Sequence, residues 1–183
     1  MLLPRTWLFV LAALQPALAI STGNCVSFDS KAGGFQVAAT KVLVAPDEWP
    51  GVVRAAGDFA KDLSTVTGKT LSVANATTTT ASQSKTPIIV GTLGHSALIS
   101  AVVNNTKLDV SGISGKWESF IAQQVSNPLP GVSSAYVVIG SDKRGEFIFF
   151  LIGCYIEPLL GTIFGLYELS EQSGVSPWYW FVP

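Results

Sequence analysis

Two stretches near the end of the chain decide its fold, YVVIGSDKRG (residues 136–145) and GTIFGLYELSEQSGVSPWYWF (residues 161–181). The first is an apolar run typical of a buried strand, and it ends in a turn bounded by Gly140 and Gly145. The second predicts an amphipathic helix that stops at Gly174 and is followed by an aromatic segment. One face of that helix is expected to carry Ile163, Leu166, Tyr167 and Ser170. A strand, a tight turn and a helix therefore form the centre of the predicted fold.

Upstream of this unit, strand-like and helix-like patterns alternate along the chain. Strands are expected at residues 35–39, 41–45, 71–73, 87–91, 117–125 and 135–139. A helix is predicted to begin with Asp47 as its cap and Pro50 in its first turn, and to end at Gly68. A second helix is predicted over residues 95–103. The alternation predicts an α/β fold, a mixed β-sheet with packed helices in a two-layer sandwich.

The apolar face of the first helix is read from its spacing. Apolar residues recur at intervals of three and four at Val53, Ala56, Phe59, Ala60, Leu63 and Val66. The charged residues between them, Asp58, Lys61 and Asp62, are interpreted as a solvated face rather than as catalytic groups.

The N-terminus has the layout of a secretory signal peptide at residues 1–19. Arg5 precedes an apolar run at residues 7–14, and small residues end at Ala17-Leu18-Ala19. The run is shorter than the roughly 20 residues that a membrane-spanning helix needs. The alternative is a buried N-terminal strand or helix. We expect a secreted, extracellular protein whose mature chain, residues 20–183, forms a single domain.

Two sequons agree with secretion, Asn75-Ala76-Thr77 and Asn104-Asn105-Thr106, and both are predicted glycosylation sites. The chain has two cysteines, Cys25 and Cys154. They could pair in an oxidising compartment, and the sequence leaves that pairing open.

Composition and motifs exclude several classes of function. The net charge is −1 and no basic face is visible, so no nucleic-acid partner is expected. The Gly140–Gly145 turn continues with Glu146-Phe147, where a phosphate-binding loop needs Lys and then Ser or Thr. The single histidine, His95, cannot build a catalytic triad or a metal centre alone and is interpreted as a polar residue at a helix start. No cofactor and no metal are expected.

A foreign-looking block separates the two defining stretches. Residues 146–160 read EFIFFLIGCYIEPLL, rich in Phe, Ile and Leu, and show no helical stripe. Joining Gly145 to Thr162 gives GSDKRGTIFGLYELSEQSG, a continuous strand–turn–helix. Gly-Glu-Phe can be encoded with a splice-donor-like GTGAGT and Leu-Gly with an acceptor-like AG, and excision between them restores one Gly codon in frame. The hypothesis is that residues 146–161 are a translated, unspliced intron. The alternative is a genuine apolar lid or a membrane-touching hairpin.

With this block set aside, residues from about 35 to 180 resemble the N-terminal domain of glycoside hydrolase family 115, the xylan α-1,2-glucuronidases. The matching text is PDEWPGVVRAAGDFAKDLSTVTGK, IIVGTLG, GKWESF, YVVIGSDKRG and GTIFGLYELSEQSGVSPWYWF. The last two are the most specific, because strand, turn, helix and aromatic exit follow in order. The resemblance covers nearly all of the mature chain and only the front of the enzyme.

The resemblance implies an N-terminal accessory domain that packs on a (β/α)₈ barrel. In that family the barrel carries the catalytic carboxylates, and the enzyme removes glucuronic acid or its 4-O-methyl ether from xylan. Glycoside hydrolysis needs two carboxyl groups flanking the scissile bond. Asp142 and Glu168 lie on the turn and on its helix, but nothing in the sequence places them opposite each other, so no such pair is assigned. Family members continue past the aromatic exit with an Ala-Asp-Val-Pro-like step, whereas this sequence reads Phe181-Val182-Pro183. We therefore expect a fragment, inactive alone, whose partner through the full-length enzyme is glucuronoxylan.

Four residues are candidate substrate contacts. Trp178 and Trp180, with Tyr179 between them, could stack on sugar rings, although packing against the barrel is the favoured interpretation. Lys143 and Arg144 could bind a uronate carboxylate, since arginine can bind one in a bidentate way, or they could be solvated turn charges. The alternative function is a free-standing secreted carbohydrate-binding module that uses the C-terminal aromatics. A third alternative is a small membrane-associated protein that uses the apolar run at residues 147–156.

Overall fold

A computed structural model describes residues 26, 35–37, 41–84, 86–141 and 160–175. The described elements are β1 (Lys41–Val44), α1 (Pro50–Thr67), β2 (Ser72–Asn75), β3 (Ile88–Thr92), α2 (Ala97–Thr106), β4 (Phe120–Leu129), β5 (Val132–Gly140) and α3 (Leu160–Gln172), with a short 3₁₀ turn at Ala81–Gln83. The structure confirms the α/β class, because helices pack on one mixed sheet.

The sheet has the strand order β2-β1-β3-β5-β4. Strands β1, β2, β3 and β5 run parallel, and β4 pairs with β5 in the antiparallel direction. The chain moves outward from β1 to β2 through α1, and then returns to place β3 on the other side of β1. The connections therefore diverge between β1 and β3, which is the topological switch point of an open α/β sheet.

Two apolar clusters cover the two faces of the sheet. One joins α1 and α3 to strand residues such as Val42, Val90 and Val138. The other joins α2 to the alternate strand residues, such as Leu43, Ile89 and Ile139. Because successive strand residues point to opposite faces, strands buried on both sides read as continuous apolar runs. Helix α2 thus adds a layer on the face opposite α1 and α3.

Helix α1 has the predicted Pro50 start and Gly68 end, but not the predicted N-cap. Pro50 occupies the first turn, and Gly68 ends the helix with a φ of 66°. Asp47, the predicted cap, is not the N-cap, because the N-cap is Trp49 and its side chain makes no capping bond. Asp47 instead accepts a hydrogen bond from the backbone N–H of Ala97, at 3.3 Å. The acid stabilises the start of α2 rather than the start of its own helix.

Other differences are local and follow from packing. Residues 35–37 have no regular structure, and β4 begins at Phe120 rather than at residue 117. Within α1, Val52 and Ala55 are buried while Val66 is 37% exposed, so the buried stripe includes two residues that the sequence spacing did not give and ends at Leu63. On α3 the sequence predicted Tyr167 on the buried face, but Tyr167 is 51% exposed and Leu169 is buried instead.

Helix α3 and the end of β5 approach each other closely. A Cβ on Gly140 would collide with the backbone and the hydroxyl of Thr162. A Cβ on Gly161 would lie 2.6 Å from the carbonyl oxygen of Ser119 and 2.9 Å from the backbone N and O of Ser141. The end of β5 and the start of α3 are therefore in direct contact, although residues 142–159 separate them in the sequence.

Candidate functional site

The candidate site is the edge of the sheet at which the parallel strands end. Ligands of open α/β sheets bind outside the carboxyl ends of the strands, at the switch point. Here that point lies between the loop after β1, which carries Glu48, and the end of β3 at Thr92. The amino ends of α1, α2 and α3 lie at this same edge, and the positive end of a helix dipole favours a negative charge.

A carboxylate of the chain itself fills this position. Glu48 is 6% exposed. Its Oε2 accepts a hydrogen bond from the backbone N–H of Thr92 at 2.9 Å, and its Oε1 accepts one from the Thr92 hydroxyl at 2.9 Å. Oε1 also accepts from the backbone N–H of Trp49 at 3.1 Å. The three donors compensate the carboxylate for the water that it loses on burial.

Gly91 leaves the room that this carboxylate needs. A Cβ at Gly91 would lie 2.8 Å from Oε2 of Glu48, 2.8 Å from Oγ of Ser96 and 2.7 Å from Cγ1 of Ile99. No real Cβ tolerates three such neighbours, so a side chain here would displace Glu48 or the first turn of α2. The glycine of the IIVGTLG segment is required by this packing, not by a turn.

The hydrogen bonds continue from Glu48 into α3. The hydroxyl oxygens of Thr92 and Thr162 lie 3.1 Å apart, and the Thr162 hydroxyl donates to the carbonyl of Gly91 at 3.4 Å. Thr92 and Thr162 are fully buried. Three segments that are distant in sequence are thus joined by one buried polar chain, which fixes where α3 begins.

A second pair closes the same edge on the side of β4. Ser141 donates its backbone N–H to the carbonyl of Ser119 at 2.7 Å, and its hydroxyl accepts from the N–H of Ser119 at 3.0 Å. Trp117, two residues earlier, is 65% exposed, and Glu118 has a φ of 50°. Residues in this backbone region are uncommon outside glycine and are found at functional sites more often than elsewhere.

His95 lies at a helix start, as its interpretation in the sequence requires. It immediately precedes Ser96, the N-cap of α2, whose hydroxyl accepts from the N–H of Ile99 at 3.4 Å. The His95 ring stacks on Trp49, with centroids 4.0 Å apart and an angle of 12° between the planes. The stack packs the loop after β1 against the loop after β3.

This arrangement is suited to holding a fold rather than to catalysis. All three hydrogen-bond donors around Glu48 belong to the chain itself, and the residue is only 6% exposed. The position that a phosphate would occupy in a nucleotide-binding sheet is taken by the carboxylate. Within residues 26, 35–37, 41–84, 86–141 and 160–175, no group of three or more His, Cys, Asp or Glu could hold a metal ion.

The predicted site residues are placed only in part. Asn75, at the end of β2, and Asn104, on α2, are both exposed. Lys143, Arg144, Trp178 and Trp180 lie outside the described residues, as do Cys25, Cys154 and most of the block at residues 146–161. The four candidate sugar contacts therefore stay predictions.

Glu48 is the residue that sequence reasoning missed. In the sequence it reads as an acid in the first turn of a helix, beside Asp47. One signal was available, a buried strand ending in Gly-Thr, where the glycine leaves space at the carboxyl end of a parallel strand. The pairing across 44 residues between Glu48 and Thr92 is a tertiary contact that no local pattern encodes.

A shallow cavity of about 660 Å³ lies at the other end of the sheet, beside the β4–β5 hairpin. Its lining includes Asn105, Asn127 and Ser133 together with apolar residues of the hairpin, and it contains no charged side chain. It offers no carboxyl pair for hydrolysis. No helix in the described part of the chain is long and apolar enough to cross a membrane.

No protein-family model and no curated protein matches the chain. The solved structure of BtGH115A, a family GH115 4-O-methyl-alpha-glucuronidase with specificity for decorated arabinogalactans, is similar with 25% sequence identity and a TM-score of 0.49. The match covers 78% of this chain and 14% of that protein, so this chain spans about one seventh of its length.

Proposed function

We propose that this chain is the N-terminal α/β domain of a secreted xylan α-1,2-glucuronidase. The longer enzyme removes glucuronic acid or its 4-O-methyl ether from glucuronoxylan. The domain itself supplies no catalytic carboxylate and is inactive alone. Its task is to pack on the barrel that carries the reaction.

One observation supports the proposal above the others. The segments that carry the family resemblance are partners of one another in the buried polar chain. Glu48 comes from PDEWPG, Thr92 from IIVGTLG and Thr162 from GTIFG, and they meet at a single corner. The Ser119–Ser141 pair joins GKWESF to YVVIGS in the same way. A resemblance that arose by chance would have no reason to select mutually bonded residues.

The described acids fit a structural domain. Glu48 is saturated by internal donors, and Glu168 on α3 accepts from the side chain of Gln172 at 2.9 Å. Each of them is bonded within the domain, whereas a glycosidase needs two carboxyl groups that flank the substrate.

Two measurements test the proposal. Genomic sequence downstream of the Pro183 codon should contain an in-frame exon that encodes a (β/α)₈ barrel, and its absence would contradict the assignment. The purified chain should release no 4-O-methylglucuronic acid from glucuronoxylan, while the longer protein should release it. Release by the chain alone would refute the claim that the carboxylates lie elsewhere.

A second candidate is a carbohydrate-binding module, and the exposure of Trp117 favours it. An exposed indole can stack on a sugar ring. The residue after Trp117, Glu118, has a left-handed backbone conformation with a φ of 50°. Retention of the chain on insoluble glucuronoxylan, lost in Trp117→Ala and kept in Phe164→Ala, would support this function. Equal retention of both variants would exclude Trp117 as the sugar contact, and no retention of the parent chain would exclude the function.

A further inference from the structure

The corner between the ends of β1 and β3 has the chemistry of a carboxylate receptor. Three donors converge on the two oxygens of Glu48, namely the backbone N–H of Trp49, the backbone N–H of Thr92 and the Thr92 hydroxyl, at 3.1, 2.9 and 2.9 Å. A planar anion with two acceptor oxygens satisfies all three donors. An amide of the same shape does not, because its NH₂ group would face a donor. The corner therefore selects a carboxylate.

The donors are held in place by bonds that do not involve the Glu48 side chain. Thr92 is the last residue of β3, and its carbonyl accepts from the backbone N–H of Ser96 at 3.0 Å. Trp49 is the N-cap of α1. The backbone of Glu48 is fixed by a turn, in which its N–H donates to the carbonyl of Ala45 at 3.1 Å. Shortening the Glu48 side chain thus leaves a preformed set of donors.

The walls of the corner set the size of the carboxylate that fits. Oε2 of Glu48, Oγ of Ser96 and Cγ1 of Ile99 all lie within 2.8 Å of the position that a Cβ on Gly91 would take. That side of the corner is therefore full. Removing the Glu48 side chain beyond Cβ vacates the space of two carbons and two oxygens, which are the heavy atoms of acetate.

We infer that this corner is a carboxylate-binding site that the chain occupies with its own Glu48, and that free acetate binds there when residue 48 is shortened to alanine. In the intact chain the Glu48 carboxylate is a tethered ligand, which joins the loop after β1 to the end of β3. Carboxylate binding and stability of the corner are then a single linked equilibrium. The site belongs to the domain itself, whatever reaction the longer protein catalyses.

The first test is the rescue of Glu48→Ala by sodium acetate, measured by urea unfolding of the purified chain. Every protein in the series carries Gly57→Ala, where the new Cβ meets nothing within 4 Å, to provide a margin of stability. Without acetate, Glu48→Ala should be less stable than the matched chain that keeps Glu48. Above the dissociation constant of one site, each tenfold rise in acetate should raise its folded-to-unfolded ratio about tenfold.

The controls separate binding at the corner from general effects of a salt. The chain that keeps Glu48 should respond to acetate no more than to sodium chloride at equal ionic strength, because its own carboxylate fills the site. Acetamide should not rescue Glu48→Ala, since its NH₂ group is a donor. Propionate should rescue it less than acetate, because the additional carbon meets the retained Cβ. Adding Thr92→Val removes the hydroxyl donor and should weaken acetate binding roughly tenfold or more.

Three outcomes overturn the inference. One is equal rescue by acetate and acetamide, and another is an equal response to acetate with and without Glu48. The third is a Glu48→Ala variant that remains unfolded, or gains no stability, at every acetate concentration.

The second test locates the bound anion by NMR of isotope-labelled Glu48→Ala. The N–H groups of Trp49 and Thr92 lose their acceptor in this variant. Acetate should move both amide resonances toward their positions in the chain that keeps Glu48, with the dissociation constant that the unfolding series gives. Changes confined to exposed amides, with Trp49 and Thr92 unmoved, contradict binding at this corner.

Discussion

The contact between the end of β5 and the start of α3 predicts that the block between them can be removed. Deleting residues 146–161 joins Gly145 to Thr162 and leaves residues 142–144 to connect Ser141 with a glycine. That glycine takes the place of Gly161, where a Cβ would lie 2.6 Å from the carbonyl of Ser119. Both positions of close approach at this corner, Gly140 and the one now filled by Gly161, are therefore still occupied by glycine. A short connection of this kind is ordinary between a strand and the helix that follows it.

The size of the effect follows from the length of the connection. The chain now uses the nineteen residues 142–160 to return to a point that is already in contact with Ser141. Shortening the connection to three residues reduces the closure entropy by about 1.6 kcal/mol, from (3/2)RT times the logarithm of the length ratio. For a chain of this size the melting temperature should rise by about 3–6 °C. The expected result is thus a deletion variant that is more stable than the parent chain.

Thermal and urea unfolding of the two proteins, followed by circular dichroism, measure this difference. A control replaces residues 146–160 by a Gly/Ser linker of equal length, which separates the effect of length from the effect of composition. The linker variant should keep the stability of the parent. A deletion variant that fails to fold, or that is less stable than the parent by more than about 1 kcal/mol, would falsify the idea that the block is dispensable, because such a loss exceeds ordinary surface effects.

Three further predictions concern the buried edge and two surface positions. Glu48→Gln should lower the free energy of unfolding by about 2–4 kcal/mol. The new amide NH₂ would face an N–H donor, and the charge-assisted hydrogen bonds would be lost. A change below about 0.5 kcal/mol in urea titration would show that the network is not stabilising. Gly91→Ala should lower the free energy of unfolding by about 1–3 kcal/mol through steric overlap. Gly57→Ala lies in α1 with nothing within 4 Å of the new Cβ, and it should raise that free energy by about 0.5–1 kcal/mol. The opposite order in a thermal shift assay contradicts the packing. The Ser111 side chain and its backbone N–H hold the pKa of Asp109 below its ordinary value, so the stability that this carboxylate contributes is complete at neutral pH and is lost as the pH falls through the lowered pKa. Ser111→Ala should raise that pKa in an NMR titration, and an unchanged pKa argues against the side-chain bond.

Local patterns in the sequence were sufficient for most of the secondary structure. The apolar run of β3 and the period of α1 each depend on neighbours within one or two turns, so spacing alone reveals them. Pro50 and Gly68 mark the ends of α1 because their preferred backbone angles are properties of single residues. The same locality explains the errors. Asp47 has the composition of a cap, but the nearest donor that suits it belongs to Ala97, fifty residues away.

The sequence by itself predicted the class of the fold, the strand and the helix near the end of the chain, and a resemblance to a family of glucuronidases. Those properties are recorded in hydrophobic spacing and in short motifs, and they survive without knowledge of any contact. The tertiary structure alone decided which acid matters at the switch point. Glu48 and Asp47 are adjacent and chemically alike, yet only Glu48 reaches the donors that Thr92 presents at the end of the next strand. Burial and hydrogen bonding depend on what the fold brings near, so a carboxylate becomes part of the core only where the folded chain supplies its partners.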